Sequence, residues 1–174
     1  MTVGVIGVGH IGTAVIQRLQ GFGCRVLAHS NTPPKTALTA QFASLDELLL
    51  ESDVVTLHLS LNADTHHAIG REQIATMKRG AFLVNTGRGA LVDTAALIVA
   101  LEAGRLGGAA LDVLEGEQGI FYADCTSRPI DNRFLLTLQQ MPNVIVTPHT
   151  AYHTERALHE TVEGTLLNCL RFER

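Results

Sequence analysis

Short apolar runs alternate with amphipathic stretches along this chain. The apolar runs, which we predict to be strands, are residues 3–6, 25–28, 54–59, 81–84, 108–113 and 143–146. The stretches whose apolar positions recur every three or four residues, which we predict to be helices, are residues 11–22, 93–103, 131–140 and 154–172, with a short Leu-rich helix after a capping box at residues 44–47. Strands that alternate with helices predict an α/β fold: a doubly wound parallel sheet with helices on both faces.

Composition narrows the class of protein. A chain of 174 residues, 46% of them hydrophobic, is long enough for one domain with a real core. The formal net charge of −4 argues against nucleic acid as a partner. The first residues do not show a basic segment followed by a long apolar one, and no apolar run reaches about 18 residues, so we expect neither a signal peptide nor a membrane span. Its 3 cysteines are far apart, which indicates a reducing compartment, so we expect a cytoplasmic protein.

A glycine motif follows the first predicted strand. Gly7, Gly9 and Gly12 fit the pattern G-x-G-x-x-G at the start of the first helix. In this setting the first glycine permits a tight turn, the second lets the backbone approach a pyrophosphate, and the third lets helix and strand pack closely. The motif therefore predicts a Rossmann fold that binds NAD or NADP. The alternative is a glycine-rich turn kept only for packing.

The end of the second strand bears on the choice of cofactor. An acid is expected there, about 20 residues after the glycines, to bind the ribose 2′-hydroxyl of NAD. Here the position is Ser30, between His29 and Asn31, and no carboxylate is present to repel a 2′-phosphate. Lys35 follows shortly after in the sequence and is a further candidate to contact a 2′-phosphate. The sequence therefore favours a site that accepts, or prefers, NADPH. The alternative is that Ser30 is a turn residue and NADH is held by other contacts.

Three polar residues follow strand ends on the second half of the chain. Arg88, Glu117 and His149 come after the fourth, fifth and sixth predicted strands, so they should face the same crevice as the glycines. Arginine can bind a substrate carboxylate, and a histidine paired with a carboxylate can donate a proton. This set suits reduction of a 2-keto acid, although the residues alone leave open whether Glu115 or Glu117 pairs with His149. The alternative is that each residue only caps a strand or turn.

These motifs together resemble the cofactor domain of the D-isomer-specific 2-hydroxyacid dehydrogenases, and most closely D-lactate dehydrogenases of the vancomycin-resistance type. The resemblance runs over nearly the whole chain and is carried by residues 2–12, 21–28, 85–93, 107–117, 119–122, 129–132 and 142–152. It implies that Arg88 binds substrate and that Glu117 pairs with His149, the acid/base. It also implies cofactor contacts at His10, Ile11, Ser30, Leu59, Ser60, Thr65, Thr86, Gly87, Arg88 and Asp112. Departures from the family pattern are Ser30, where most members have an acid, and Ser60, where proline is common.

The resemblance also sets expectations for domain organisation. The family has a second domain that closes over the substrate, and we expect residues 1–174 to be the dinucleotide-binding domain alone. Without that lid the chain should bind dinucleotide but turn over a 2-keto acid, such as pyruvate, poorly. The alternative function is a non-catalytic dinucleotide-binding or dimerisation module. The family also implies a homodimer, with residues 120–133 as a candidate contact.

We predict no metal site. His66 and His67 are adjacent in sequence, and on a helix they would point apart. Neither this pair nor His149 with His153 has a third ligand at a useful spacing.

Overall fold

The computed structural model describes residues 1–32, 38–127 and 129–172. Its strands are β1 (Thr2–Ile6), β2 (Arg25–His29), β3 (Gln41–Phe42), β4 (Val54–Leu57), β5 (Phe82–Asn85), β6 (Gly108–Leu111) and β7 (Val144–Val146). Its α-helices are α1 (His10–Leu19), α2 (Leu45–Glu51), α3 (Arg71–Thr76), α4 (Thr94–Glu102), α5 (Arg133–Gln139) and α6 (Glu155–Phe172). Within the described ranges, no helix combines the length and hydropathy needed to cross a membrane.

All the strands pair in parallel in one sheet, which confirms the predicted doubly wound α/β fold. The strand order is β3-β2-β1-β4-β5-β6-β7. From β1 the chain builds outward through β2 and β3, then returns to place β4 on the other side of β1. This reversal opens a crevice between the carboxyl ends of β1 and β4, the usual ligand position in such sheets.

Apolar side chains on the two faces of the sheet enter separate cores. Leu27 packs with the α2 residues Leu48 and Leu49 in the larger core, which extends under α3, α4 and α5. Its strand neighbours Val26 and Ala28 point to the opposite face and pack with residues of α1 in a smaller core. Alternation along the strands therefore places helices on both faces, as the sequence predicts.

Some elements differ from the sequence prediction. The two-residue strand β3 and the short helix α3 were not predicted from periodicity, since neither is long enough to show a period. The predicted first helix, residues 11–22, ends earlier than expected: Phe22, its last apolar position, is 79% exposed in a 3₁₀ turn after α1. The capping box before α2 is confirmed: Ser44 accepts from the Glu47 amide, and the Glu47 carboxylate accepts from the Ser44 amide.

Asn132 joins α5 to the loop after β6. Its side-chain oxygen accepts from the Leu135 amide at 3.0 Å and so caps the helix. Its side-chain nitrogen donates at 3.1 Å to the carbonyls of Glu115 and Gly116. Because Asn132 is buried, its side chain makes these bonds away from solvent, where each contributes more than at the surface.

We therefore expect Asn132→Ala to lower the free energy of unfolding by about 2–3 kcal/mol, the sum of a lost cap and of two carbonyls that lose their buried donor. Urea denaturation of the purified chain measures the change. The control is Ser44→Ala, which removes an exposed cap and should cost only about 1 kcal/mol. Equal losses in the two variants would contradict the role assigned to Asn132.

Candidate active site

The glycine motif lies at the crevice between β1 and β4. Gly7 ends β1 with φ of +92°, a left-handed value that glycine adopts without strain. A Cβ added there would lie 2.7 Å from the His58 carbonyl group, which follows β4. The two strand ends therefore approach each other so closely at this turn that only glycine fits at position 7.

Gly9 and Gly12 have opposite surroundings. A Cβ on Gly12 would lie 1.9 Å from the Gly7 carbonyl oxygen, so α1 can lie against the turn only because this residue has no side chain. A Cβ on Gly9 would have nothing within 4 Å. Gly9 is the N-cap of α1, and it has no side chain to cap the first amides of the helix. Among the described residues, the open space and the lack of a side-chain cap are features that suit an anion at the helix N-terminus.

A groove runs across this edge of the sheet. One cleft, of about 510 Å³, extends from Ser30 and Thr32 past the glycine turn to His58 and Ser60. A second, of about 360 Å³, shares residues 58–60 with the first and continues to residues 86–88. A third, of about 210 Å³, shares Thr86 and reaches Asp112. Such an extended, mostly preformed groove fits an elongated ligand better than a compact one.

The predicted cofactor residues are distributed along this groove. His10 and Ser30 line the first cleft, Ile11, Gly87 and Arg88 line the second, and Leu59 and Ser60 line both. Thr65 donates its hydroxyl to the Ser60 carbonyl at 2.7 Å and so closes the loop after β4. Ser30 donates to the Thr32 carbonyl at 2.8 Å, in a tight turn. Lys35, considered as a contact for a 2′-phosphate, lies outside the described residues.

The loop after β5 presents Arg88 to the groove. Asn85, 1% exposed, accepts from the Gly87 amide at 3.0 Å and donates to the Arg88 carbonyl at 2.9 Å. The Arg88 side chain itself is exposed, and Nη1 donates to the Gly87 carbonyl. A buried amide side chain thus fixes the backbone, while the guanidinium keeps donors for a ligand.

Glu117 and His149 form a hydrogen-bonded pair. Glu117 Oε1 lies 2.7 Å from His149 Nδ1, and Oε2 accepts from the Leu114 amide at 2.6 Å. Because an ionised carboxylate only accepts, Nδ1 carries a proton and Nε2 is the ring nitrogen left for other chemistry. Glu115, the other candidate, instead contacts His67.

The loop that carries His149 is held from several sides. His149 has φ of +55°, and its amide donates to the Asp112 carbonyl at 2.8 Å. The buried Asp112 carboxylate accepts from the amides of Thr150 and Ala151 at 2.8 and 2.9 Å. The Tyr122 hydroxyl donates to the His149 carbonyl. These contacts hold an unusual backbone conformation, and the bond between His149 Nδ1 and Glu117 orients the imidazole.

Sequence reasoning missed three parts of this site. It did not predict that Asp112 holds the loop of His149, that Tyr122 contacts the same loop, or that His58 lies beside the glycine turn. Burial lowers the pKa of His58, which therefore adds no positive charge at neutral pH. His58 lies inside the predicted strand at residues 54–59, and only the earlier end of β4 at Leu57 places it at the crevice. Nothing local marks the other two.

The prediction that His66 and His67 point apart is wrong. Residues 62–68 form turns rather than a helix, and His67 has φ of +51°. Their rings stack with centroids 4.0 Å apart. Glu115 lies beside them, with Oε1 2.7 Å from His67 Nε2. Burial would raise the pKa of Glu115, but hydrogen bonds from His67 and Thr94 outweigh it, and the pKa is lowered.

Comparison with known proteins identifies relatives over the whole chain. Residues 1–151 match the family described as D-isomer specific 2-hydroxyacid dehydrogenase, NAD binding domain. A D-specific alpha-keto acid dehydrogenase of Enterococcus faecium is 64% identical over 174 residues, which are 100% of this chain and 53% of the relative. The chain thus spans about half the length of this relative.

Two solved structures superpose on nearly the whole of this chain. A D-lactate dehydrogenase from Sporolactobacillus superposes with a TM-score of 0.94 at 37% identity, over 100% of this chain and 53% of that one. The NAD-complexed D-isomer specific 2-hydroxyacid dehydrogenase of Lactobacillus delbrueckii ssp. bulgaricus superposes with a TM-score of 0.92 at 39% identity, over 99% of this chain and 53% of that one.

Proposed function

Since the chain belongs to the NAD-binding domain family of the D-isomer-specific 2-hydroxyacid dehydrogenases, we propose that it is the cofactor-binding part of an oxidoreductase that transfers hydride between NAD(P)H and a 2-keto acid. Pyruvate, with D-lactate as product, is the proposed substrate pair. The observation that carries the proposal is the open space at Gly9, a free helix N-terminus beside a preformed groove. The relatives named for D-lactate dehydrogenase support the substrate class.

Each proposed residue has a task that its surroundings suit. The bound dinucleotide supplies the hydride. The α1 amides at His10 and Ile11, with the Gly7–Gly9 turn, bind its phosphates. The remaining contacts that we assign to cofactor lie along the same edge of the sheet: Gly12, Ser30, Leu59, Ser60, Thr65, Thr86, Gly87, Arg88 and Asp112.

The chemistry that we assign to the chain's own residues is substrate binding and proton transfer. Arg88 binds the substrate carboxylate through its exposed guanidinium donors and orients the keto group. His149 holds the proton at Nε2 and donates it to the keto oxygen as hydride arrives at the carbon. Glu117, bonded to Nδ1 at 2.7 Å, fixes the tautomer and stabilises the protonated ring.

We further propose that the site accepts NADPH. Support comes from the end of β2, where His29, Ser30 and Asn31 offer no carboxylate near the proposed ribose position. The Ser30 hydroxyl lies at the cleft and can exchange its bond with the Thr32 carbonyl for one with a 2′-phosphate.

The test is a titration of the purified chain with NADH and NADPH, followed by nucleotide fluorescence. We expect saturable binding of both, with NADPH at least as tight as NADH. Absence of binding by either nucleotide would overturn the proposal, and tight binding of NADH alone would overturn its NADPH part.

Gly9→Ala separates binding from folding. The added methyl group has no protein atom within 4 Å, so the free energy of unfolding should be unchanged. It enters the space assigned to the phosphates, and we expect dinucleotide affinity to fall by about tenfold or more, since one lost phosphate contact is worth about 1.5–3 kcal/mol. The control is Gly21→Ala, which also adds a methyl group to open space but lies after α1. Unchanged affinity in Gly9→Ala would contradict the assigned phosphate position.

A second candidate function for the isolated chain is that of a non-catalytic module that binds dinucleotide or forms a dimer. We propose that the 174 residues bind cofactor but reduce pyruvate poorly on their own, and that residues 120–133 contribute to a homodimer in the cytoplasm. If the isolated chain turned over pyruvate as fast as a full-length relative, the hypothesis of a module without turnover would be excluded. Sedimentation of the purified chain measures its oligomeric state and so tests the dimer.

A further inference from the structure

We propose that His66, His67 and Glu115 form a site for a divalent ion of the zinc class. These side chains are distinct from the Glu117–His149 pair and have no part in the proposed reductase chemistry. Their candidate ligand atoms all lie within 4.8 Å of one another.

The backbone at His67 brings the two imidazoles together. Consecutive side chains normally diverge, but a left-handed residue turns the chain so that two neighbours can lie on the same side. His67 has φ of +51°, and its ring stacks on that of His66 at 4.0 Å with an interplanar angle of 33°. The His67 amide donates to the Ala90 carbonyl at 2.8 Å, which fixes this turn against the loop after β5.

Glu115 supplies an oriented carboxylate. Its Oε1 lies 2.7 Å from His67 Nε2, and its Oε2 accepts from the Thr94 amide at 2.9 Å. The bond to Thr94 holds one oxygen, so the other is directed at the histidines in the way that outer hydrogen bonds orient metal ligands.

The donor set selects the class of ion. Two imidazoles and one carboxylate are a ligand set used by zinc, with a fourth position left open for water. Zinc bonds of about 2.0 Å at tetrahedral angles separate ligand atoms by roughly 3.3 Å. The 2.7 Å between His67 and Glu115 therefore needs to widen, and side-chain rotation has to bring the ligand atoms, which lie within 4.8 Å of one another, to this common separation. His66 is exposed, so an ion can enter from solvent.

The test is calorimetric titration of the chelator-treated chain with Zn²⁺, in the absence of dinucleotide. We expect one ion per chain. His66→Ala and Glu115→Gln should each weaken binding by more than about tenfold, because even changes outside the ligand set cost about 10–100-fold in metal affinity. Both variants should fold, since His66 is exposed and a glutamine oxygen can still accept from the Thr94 amide.

The matched control is His159→Ala, which removes an exposed histidine 3.8 Å from Glu163 on α6 and should leave the affinity unchanged. The titration is repeated with Co²⁺ to test for thiolate ligands from the free cysteines. The absorption of Co²⁺ bound to thiolate differs from that of Co²⁺ bound to imidazole and carboxylate. No stoichiometric binding, or binding that survives both variants, would overturn the proposal and leave a hydrogen-bonded His67–Glu115 pair. Because no dinucleotide is present, this result is independent of the cofactor titration.

Discussion

Replacing His149 by asparagine should abolish nearly all turnover while leaving cofactor binding intact. The imidazole is the proposed proton donor, and loss of such a group costs about 10²–10⁴-fold in rate. Asparagine is the suitable replacement because His149 has φ of +55°, a conformation that asparagine tolerates better than most residues. The substitution therefore removes the acid without forcing the loop to refold.

The rate is measured as kcat for pyruvate on this chain fused to the half of the Enterococcus faecium relative that it does not cover. Dinucleotide affinity is measured on the isolated chain and should stay within about twofold of the parent value, less than about 0.5 kcal/mol. His153→Asn, an exposed histidine on the same loop, is the control and should retain full activity. A kcat for His149→Asn within threefold of the parent would refute the assignment.

The second large effect is expected from Gly12→Ala. The added Cβ would lie 1.9 Å from the Gly7 carbonyl oxygen and 3.0 Å from its carbon, both backbone atoms that cannot rotate away. Either α1 moves off the sheet or β1 shifts, and such overpacking costs about 1–3 kcal/mol or more. Because α1 also presents the phosphate-binding amides, we expect dinucleotide affinity to fall together with stability.

Urea denaturation and nucleotide titration measure the two losses. Gly164→Ala is the control: it adds the same methyl group to open space in α6 and should preserve or raise stability, since alanine favours helix over glycine by about 1 kcal/mol. The comparison with Gly9→Ala, which should lose affinity alone, separates Gly12, where packing and binding are lost together, from Gly9, where only binding is lost. A stable Gly12→Ala variant with parental affinity would contradict the packing argument.

Local sequence determined most of the fold. Apolar runs and amphipathic spacing predict all the strands but β3 and all the α-helices but α3, because burial of one face is encoded by neighbouring residues. The Ser44–Glu47 capping box and the glycine motif are likewise local, since each acts within one turn of chain. The exposure of Phe22 shows where this signal ends, since the residue lies in a 3₁₀ turn beyond the last residue of α1.

Tertiary structure decided the contacts between distant residues. Glu115 and Glu117 are two positions apart in similar surroundings, and only the fold places the first beside His67 and the second beside His149. The Asp112 carboxylate accepts hydrogen bonds from the loop of His149, more than 35 positions away in the sequence. Such a contact leaves no periodic pattern in the sequence. The periodic burial of apolar residues is a property of each segment, so the sequence alone specifies the helices and strands. Which distant side chains meet depends on how the parallel strands align their carboxyl ends, and this alignment arises only when the sheet forms.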